Sequence, residues 1–238
     1  MHSLKKVLPC QLLILLALLL FSVWGWADTT TLVTSQSALG ANDSTDWAQL
    51  GADGTVVPQG ATATSAAGNT VTVFFDEYGG GVSGLTSVEC PAAPSCSWTG
   101  GFTPGETLIW AYDGTNGSGA LLTYFSNAVS GAGLSIQSDA PGAFTGEVQV
   151  LFTDNSVSTL YSVDSDADGD PLFLGITDNN GANIAAIGFD MINSGSDHDF
   201  AAGTLYSVNP STSTPEPASL LLLGSGLAGM IWKKKFRA

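Results

Sequence analysis

Apolar and polar residues alternate with a period of two in many short runs of this chain, the spacing of a strand with one buried face. Val71-Thr72-Val73-Phe74 and Leu134-Ser135-Ile136-Gln137 are two such runs. Val148, Val150 and Phe152 fall on one side of a third, and Leu172, Leu174 and Ile176 on one side of a fourth. Ile187, Phe189 and Met191 repeat the pattern, and Thr107 to Tyr112, Leu121 to Phe125, Ser156 to Val163 and Thr204 to Val208 are further strand candidates. Turn signals separate the runs: Gly79-Gly80-Gly81, Asp113-Gly114, Asn116-Gly117, Asp139-Ala140-Pro141-Gly142, Asp154-Asn155 and Asn179-Asn180-Gly181. Between residues 28 and 214 no long stretch carries helical spacing. Roughly eight to ten short strands with glycine-rich turns predict an all-β fold, a jelly-roll-like antiparallel β-sandwich. Composition agrees. Glycine is 29 of 238 residues, which disfavours helical bundles, and 44% apolar residues suffice for a core.

Two segments break the strand pattern. Residues 1–27 hold Lys5 and Lys6, an apolar run from Leu12 to Phe21, and small residues at Gly25 and Ala27. This is the layout of a secretory signal helix, handed to the secretion channel and cut by signal peptidase between Ala27 and Asp28. The competing reading is a retained membrane helix. At the other end, a polar linker over 209–214 precedes Pro215-Glu216-Pro217, an apolar stretch from Ala218 to Trp232, and a basic tail of Lys233, Lys234, Lys235 and Arg237. A helix over that stretch is about 22 Å long, against a hydrocarbon core of about 30 Å. Snorkelling lysines and Trp232 at the interface extend it. The basic tail predicts a cytoplasmic end and an ectodomain outside.

Pro215-Glu216-Pro217, the helix with Gly224, Gly226 and Gly229, and the basic tail resemble the PEP-CTERM sorting signal of Gram-negative bacteria. The resemblance implies an exosortase-type membrane protease as partner, which cuts near the motif. It implies transient residence in the inner membrane, then the cell surface or the exterior, and association with exopolysaccharide and biofilm. An unrelated C-terminal membrane anchor is the alternative. The expected organisation is a signal peptide at 1–27, a β-sandwich ectodomain at 28–208, a linker at 209–214 and a transmembrane sorting helix within 215–238. Within the ectodomain, Asp46-Trp47-Ala48-Gln49-Leu50-Gly51, Ser130-Gly131-Ala132-Gly133 and Phe173-Leu174-Gly175-Ile176 resemble a recurring type among PEP-CTERM proteins. That type implies a jelly roll of unassigned activity.

Charge narrows the function further. The formal net charge is −15. All six basic residues lie in the two end segments, and all acids but Glu216 lie between them. An ectodomain without Lys or Arg excludes nucleic acid as a partner, and it lacks a cationic clamp for phosphate or carboxylate substrates. Each acid must be solvated, bonded to backbone N–H groups, or neutralised by a cation. Either the surface is simply self-repelling and soluble, or it works with divalent cations.

The densest acidic run is Asp164-Ser165-Asp166-Ala167-Asp168-Gly169-Asp170. Acids at alternate positions with glycine sixth match the first half of a calcium loop. Alternate carboxylates in an extended segment sit about 6.8 Å apart and repel by about 2.4 kcal/mol at an effective dielectric near 20. Gly175 stands where an EF-hand has its closing glutamate, and the flanks read as strands. Two readings follow: a calcium loop between strands, with Asp164, Asp166, Asp168 and Asp170 as ligands and a remote acid such as Asp178 or Asp190, or a solvated hairpin tip.

Cys90 and Cys96 are the cysteines beyond the signal segment, and an oxidising compartment predicts a disulfide between them. Two thiols and one distant histidine make no zinc set. His198 lies beside no nucleophile motif, so no catalytic residue is assigned. The first reading is therefore a non-enzymatic surface or matrix protein. The second is a carbohydrate-binding module with Trp47, Trp98, Trp110 and Tyr112 as stacking residues. The third is a glycan-cleaving enzyme using Glu106 or Glu147, since such chemistry needs only two carboxylates.

Overall fold

The structure is a computed structural model, and it describes residues 30–77, 84–89, 101–112, 119–193 and 199–210. The cleavage site at Ala27 and Asp28, the Cys90–Cys96 loop with Trp98, His198, and the sorting segment with Pro215, Glu216 and Pro217 lie outside the described residues.

Among the described residues, fifteen strands, a short helix and a 3₁₀ turn follow one another. They are β1 (Thr30–Val33), α1 (Gln36–Leu39), β2 (Asp43–Thr45), the 3₁₀ turn (Trp47–Leu50), β3 (Thr55–Val57), β4 (Ala61–Thr64) and β5 (Thr70–Glu77). Next come β6 (Gly84–Glu89), β7 (Thr107–Tyr112), β8 (Gly119–Val129), β9 (Gly131–Ser138), β10 (Phe144–Phe152) and β11 (Tyr161–Asp164). Then follow β12 (Leu172–Asp178), β13 (Ile184–Asn193), β14 (Phe200–Ala202) and β15 (Leu205–Val208).

The strands form two antiparallel sheets, as expected for a β-sandwich. The first runs β1-β12-β9-β14-β7-β6-β3, with β15 joined to β9 and to β2. The second runs β11-β10-β13-β8-β5-β4. From β7 to β14 the strands pair from the outside inward: β7 with β14, β8 with β13, β9 with β12 and β10 with β11. The segment is thus one long two-stranded ribbon folded so that successive pairs fall in alternate sheets. The period of two now has its cause. Val148, Val150 and Phe152 of β10, Ile187, Phe189 and Met191 of β13, and Val71, Val73 and Phe75 of β5 meet Leu134, Ile136, Leu174, Ile176 and Phe200 of the other sheet in one core. Among the described residues no helix is long and apolar enough to cross a membrane.

The Ser156–Val163 run gives a strand only from Tyr161, preceded by a single bridge between Val157 and Leu151. The turn at Asp154-Asn155-Ser156 explains the delay. Asn155 takes φ 68°, Asp154 Oδ1 accepts from Ser156 N at 2.8 Å, and Ser158 Oγ takes the Val150 N–H at 3.1 Å in place of a ladder carbonyl.

The outer face of the first sheet carries two smaller apolar clusters. Phe102, Leu108 and Ala201 form one, with Trp110 against it. Val33, Leu39 and Phe173 form the other, with Tyr206 and Val208 against it. The second exists because α1 lies on the sheet. Ser35 Oγ caps its start by accepting from Ala38 N at 3.3 Å, and Gly40 ends it at φ 64°. The Phe173 ring needs bare backbone beneath it: a Cβ on Gly133 would stand 2.7 Å from Gly175 Cα, 2.7 Å from Leu174 O and 2.9 Å from Phe173 Cζ. Gly133→Ala is therefore expected to destabilise by about 1–3 kcal/mol through overpacking. Urea unfolding checks this, and an unchanged midpoint would mean that β9 and β12 lie farther apart than described.

Candidate functional site

β14 and β15 run along the same edge of β9, Ala202 opposite Ile136 and Tyr206 opposite Gly133. Between them Gly203 and Thr204 interrupt the ladder, so their backbone groups need other partners. Gly203 N donates to Ser135 O at 2.9 Å. Gly203 O accepts from Trp47 Nε1 at 2.7 Å. Glu106 Oε1 accepts from Thr204 N at 2.8 Å and Thr204 Oγ1 at 3.0 Å, while its Oε2 accepts from Thr103 N at 3.2 Å. Gly203 has no room for a side chain, since a Cβ would meet Glu106 Oε1 at 2.9 Å and Phe102 Cε1 at 3.0 Å.

Trp47 is fully buried in the core, so it cannot stack on a sugar as the sequence suggested. Trp110 is half-buried against the Phe102 cluster. Tyr112 belongs to β7, and only its backbone is described.

Over the interruption, between the two outer clusters, opens a polar depression of about 390 Å³ lined by Gln36, Thr103, Glu106, Ser135, Asp170 and Tyr206 among others. It adjoins one of about 340 Å³ that reaches Asp46, and one of about 580 Å³ that reaches Asn42 and Asp43. All three border Tyr206 and together make up the grooved surface around it.

At one end of this groove Asp43 is buried and holds four donors: Ser44 N at 2.9 Å, Ala67 N at 2.8 Å, Ser65 Oγ at 2.5 Å and Asn209 Nδ2 at 2.8 Å. Burial alone would raise its pKa. The donors outweigh burial, with Ser65 first and then Ala67, Asn209 and Ser44, and hold the carboxyl below the usual carboxylate range. Asn42 completes the clasp, accepting from Asn209 N at 2.8 Å and donating to Asn209 O at 3.1 Å.

The acidic run forms the turn from β11 to β12. Asp164 Oδ1 accepts from Thr145 Oγ1 at 2.7 Å, and Asp166 Oδ1 accepts from Asp170 N at 3.0 Å. Gly169 takes φ 72° and its carbonyl accepts from Gln137 Nε2 at 2.9 Å. Asp178 lies at the opposite end of β12, bonded to Asn180 N and Asn183 Nδ2. Asp190 is paired with Glu147 in the second sheet. Among the described residues no three His, Cys, Asp or Glu side chains are gathered so as to hold a metal ion. As placed, Asp164 and Asp166 each give one oxygen to a protein donor, and the four carboxylates are not gathered into one set. Millimolar calcium is accordingly expected to leave the melting temperature unchanged relative to EDTA. A saturating rise, abolished by Asp166→Ala and Asp168→Ala, would show that the turn rearranges around the ion.

Glu106 and Glu147 do not come together. Glu106 serves the outer face of the first sheet, and Glu147 accepts from Ser162 Oγ at 3.0 Å on the outer face of the second. The sheets of a sandwich pack about 10 Å apart, so a shared glycosidic bond is out of reach. Glu106 and Asp170 were the groove residues visible in sequence. Gln36, Ser135 and Tyr206 were missed, since nothing local marks them.

The fold defines an all-β sandwich with a polar groove, and the segment beyond it bears on its route. Residues 213–235 match the family model of the PEP-CTERM protein-sorting motif. The chain carries a sorting signal that implies recognition by exosortase, a membrane protease, and is a secreted protein that passes the membrane to the cell surface. Two solved structures are similar at 10% identity and a TM-score of 0.38. One is the enzymatically active domain of bacteriophage CBA120 tailspike protein 4, where the likeness covers 57% of this chain and 19% of that one. The other is a DUF4465 family protein from Bacteroides caccae, with 75% of this chain and 99% of that one covered. No curated protein matches the chain.

Proposed function

We propose that this is a non-enzymatic surface or matrix protein, cut by exosortase near Pro215-Glu216-Pro217 and delivered as a jelly-roll ectodomain to an exopolysaccharide layer. The observation that carries the reading is the sorting motif at 213–235, which begins a few residues beyond the Asn209 clasp. The last described strand, β15, ends at Val208, so a cut near Pro215 leaves every described strand in place. The inward pairing of β7 to β14 supports the jelly roll, which is two Greek keys of eight strands. The engagement of Glu106 with Thr204 and Thr103, and its separation from Glu147, support a binding rather than a hydrolytic role.

Cell fractionation tests the route. The wild-type chain is expected outside the inner membrane in a host with a working exosortase, and the Glu216→Ala variant uncut within it. Equal release of both proteins, or release from a host lacking exosortase, would overturn the proposal.

A further inference from the structure

The lining of the groove beside Tyr206 decides what can occupy it. No Lys or Arg occurs between residues 28 and 214, and Asp43, Asp46, Glu106 and Asp170 all border the groove. A uronate, sulfate or phosphate would meet like charge with no cation to offset it. The lining of the 390 Å³ depression is also too polar for an apolar tail. Two of the carboxylates are already committed, since Asp43 and Glu106 each accept from protein donors on both oxygens. That removes much of the pull on a basic peptide. The other polar residues in the lining are Gln36, Thr103, Ser135, Tyr206 and Asp170. This mixture of donors and acceptors complements vicinal hydroxyl groups. Tyr206 adds a ring held on one side by the Leu39–Phe173 cluster, so little side-chain freedom is lost when a ligand stacks on it. Each of the three depressions borders this ring.

We propose that this groove binds a neutral glycan chain, with Tyr206 as the stacking ring and Gln36, Ser135 and Asp170 as the hydrogen-bonding groups. The proposal rests on the matrix reading only for the source of the glycan.

The test is electrophoresis of the full chain in detergent micelles, through native gels cast with exopolysaccharide from the producing cells. The polysaccharide is first split by anion exchange into a neutral and an acidic fraction. The neutral fraction is expected to retard the protein and the acidic fraction to leave it unretarded. Tyr206→Ala is expected to weaken retardation about tenfold, equivalent to about 1.4 kcal/mol, and Tyr206→Phe to keep most of it. Gln36 and Asp170 are exposed, so Gln36→Ala and Asp170→Asn leave the fold intact and are expected to weaken it several-fold. Tyr124, which packs edge-on against Phe74 in the second sheet, serves as the control, and Tyr124→Ala is expected to change nothing. Absence of retardation by the neutral fraction would overturn the proposal. So would retention by the acidic fraction or by polylysine instead, or equal loss in Tyr124→Ala. The gel uses purified protein, so a failure here is distinct from a failure of sorting, which fractionation reads.

Discussion

Trp47→Ala is expected to remove about 3–5 kcal/mol of stability, the range for deleting a large aromatic side chain from a core. Trp47 is fully buried, and its indole is the hydrogen-bond partner of Gly203 O at the break between β14 and β15. Two losses therefore combine. Removal of the ring leaves a cavity among residues of both sheets, and the freed carbonyl stays in a buried place without its donor. Trp47→Phe separates the two in part, since it keeps a six-membered ring in the core while deleting the N–H and the pyrrole edge. Its cost is expected near 1–3 kcal/mol. Urea unfolding of the three proteins measures both steps. Near-equal midpoints for Trp47→Phe and wild type would show that the indole N–H does not hold the break closed.

Asp43→Ala is expected to cost about 3 kcal/mol at neutral pH, because it takes the acceptor from the buried Ser65 hydroxyl and from the Ala67 N–H and Asn209 amide, whose bonds are part-buried. For a domain of this size each kcal/mol moves the melting temperature by about 2–4 °C, so the midpoint falls by roughly 6–12 °C. The pH dependence has a definite sign. The folded carboxyl lies below its unfolded value of about 3.9. Its contribution is therefore complete above that value and lost as pH falls through the lower folded value. The gap between wild type and Asp43→Asn is expected to be full at pH 7 and to close below about pH 4. A gap that persists unchanged at low pH would mean that the donors recognise the shape of the side chain and not its charge.

The strands legible in sequence are those long enough to repeat their alternation, such as β5, β10, β12 and β13. β1 to β4 were not legible, because three or four residues hold too few repeats and their places are fixed by distant partners. β1 pairs with β12, and β2 with β15. Trp47 misled for a related reason. Next to a polar turn it resembles an exposed aromatic, but Asp46 Oδ1 caps the turn through Ala48 N and the ring swings into the core. The acidic run was located correctly as a turn, while its hydrogen bonds to Thr145 and Gln137 come from other strands and leave no local trace. The groove draws on α1, β9, β15, the turn before β12 and the segment before β7. Only the charged members, Glu106 and Asp170, stood out before the topology joined them to the rest.

The ribbon also sets the order in which the protein is able to fold as it leaves the cell. Contacts between distant residues carry a large loop-closure cost and form slowly. Here the outermost pair, Ile109 with Ala202, and the last strand, Leu205 to Val208 against Asp43 to Thr45, need nearly the whole ectodomain in hand. A chain that emerges N-terminus first cannot close its first sheet until β14 and β15 have emerged. Completion of that sheet is thereby postponed until nearly the whole domain has crossed.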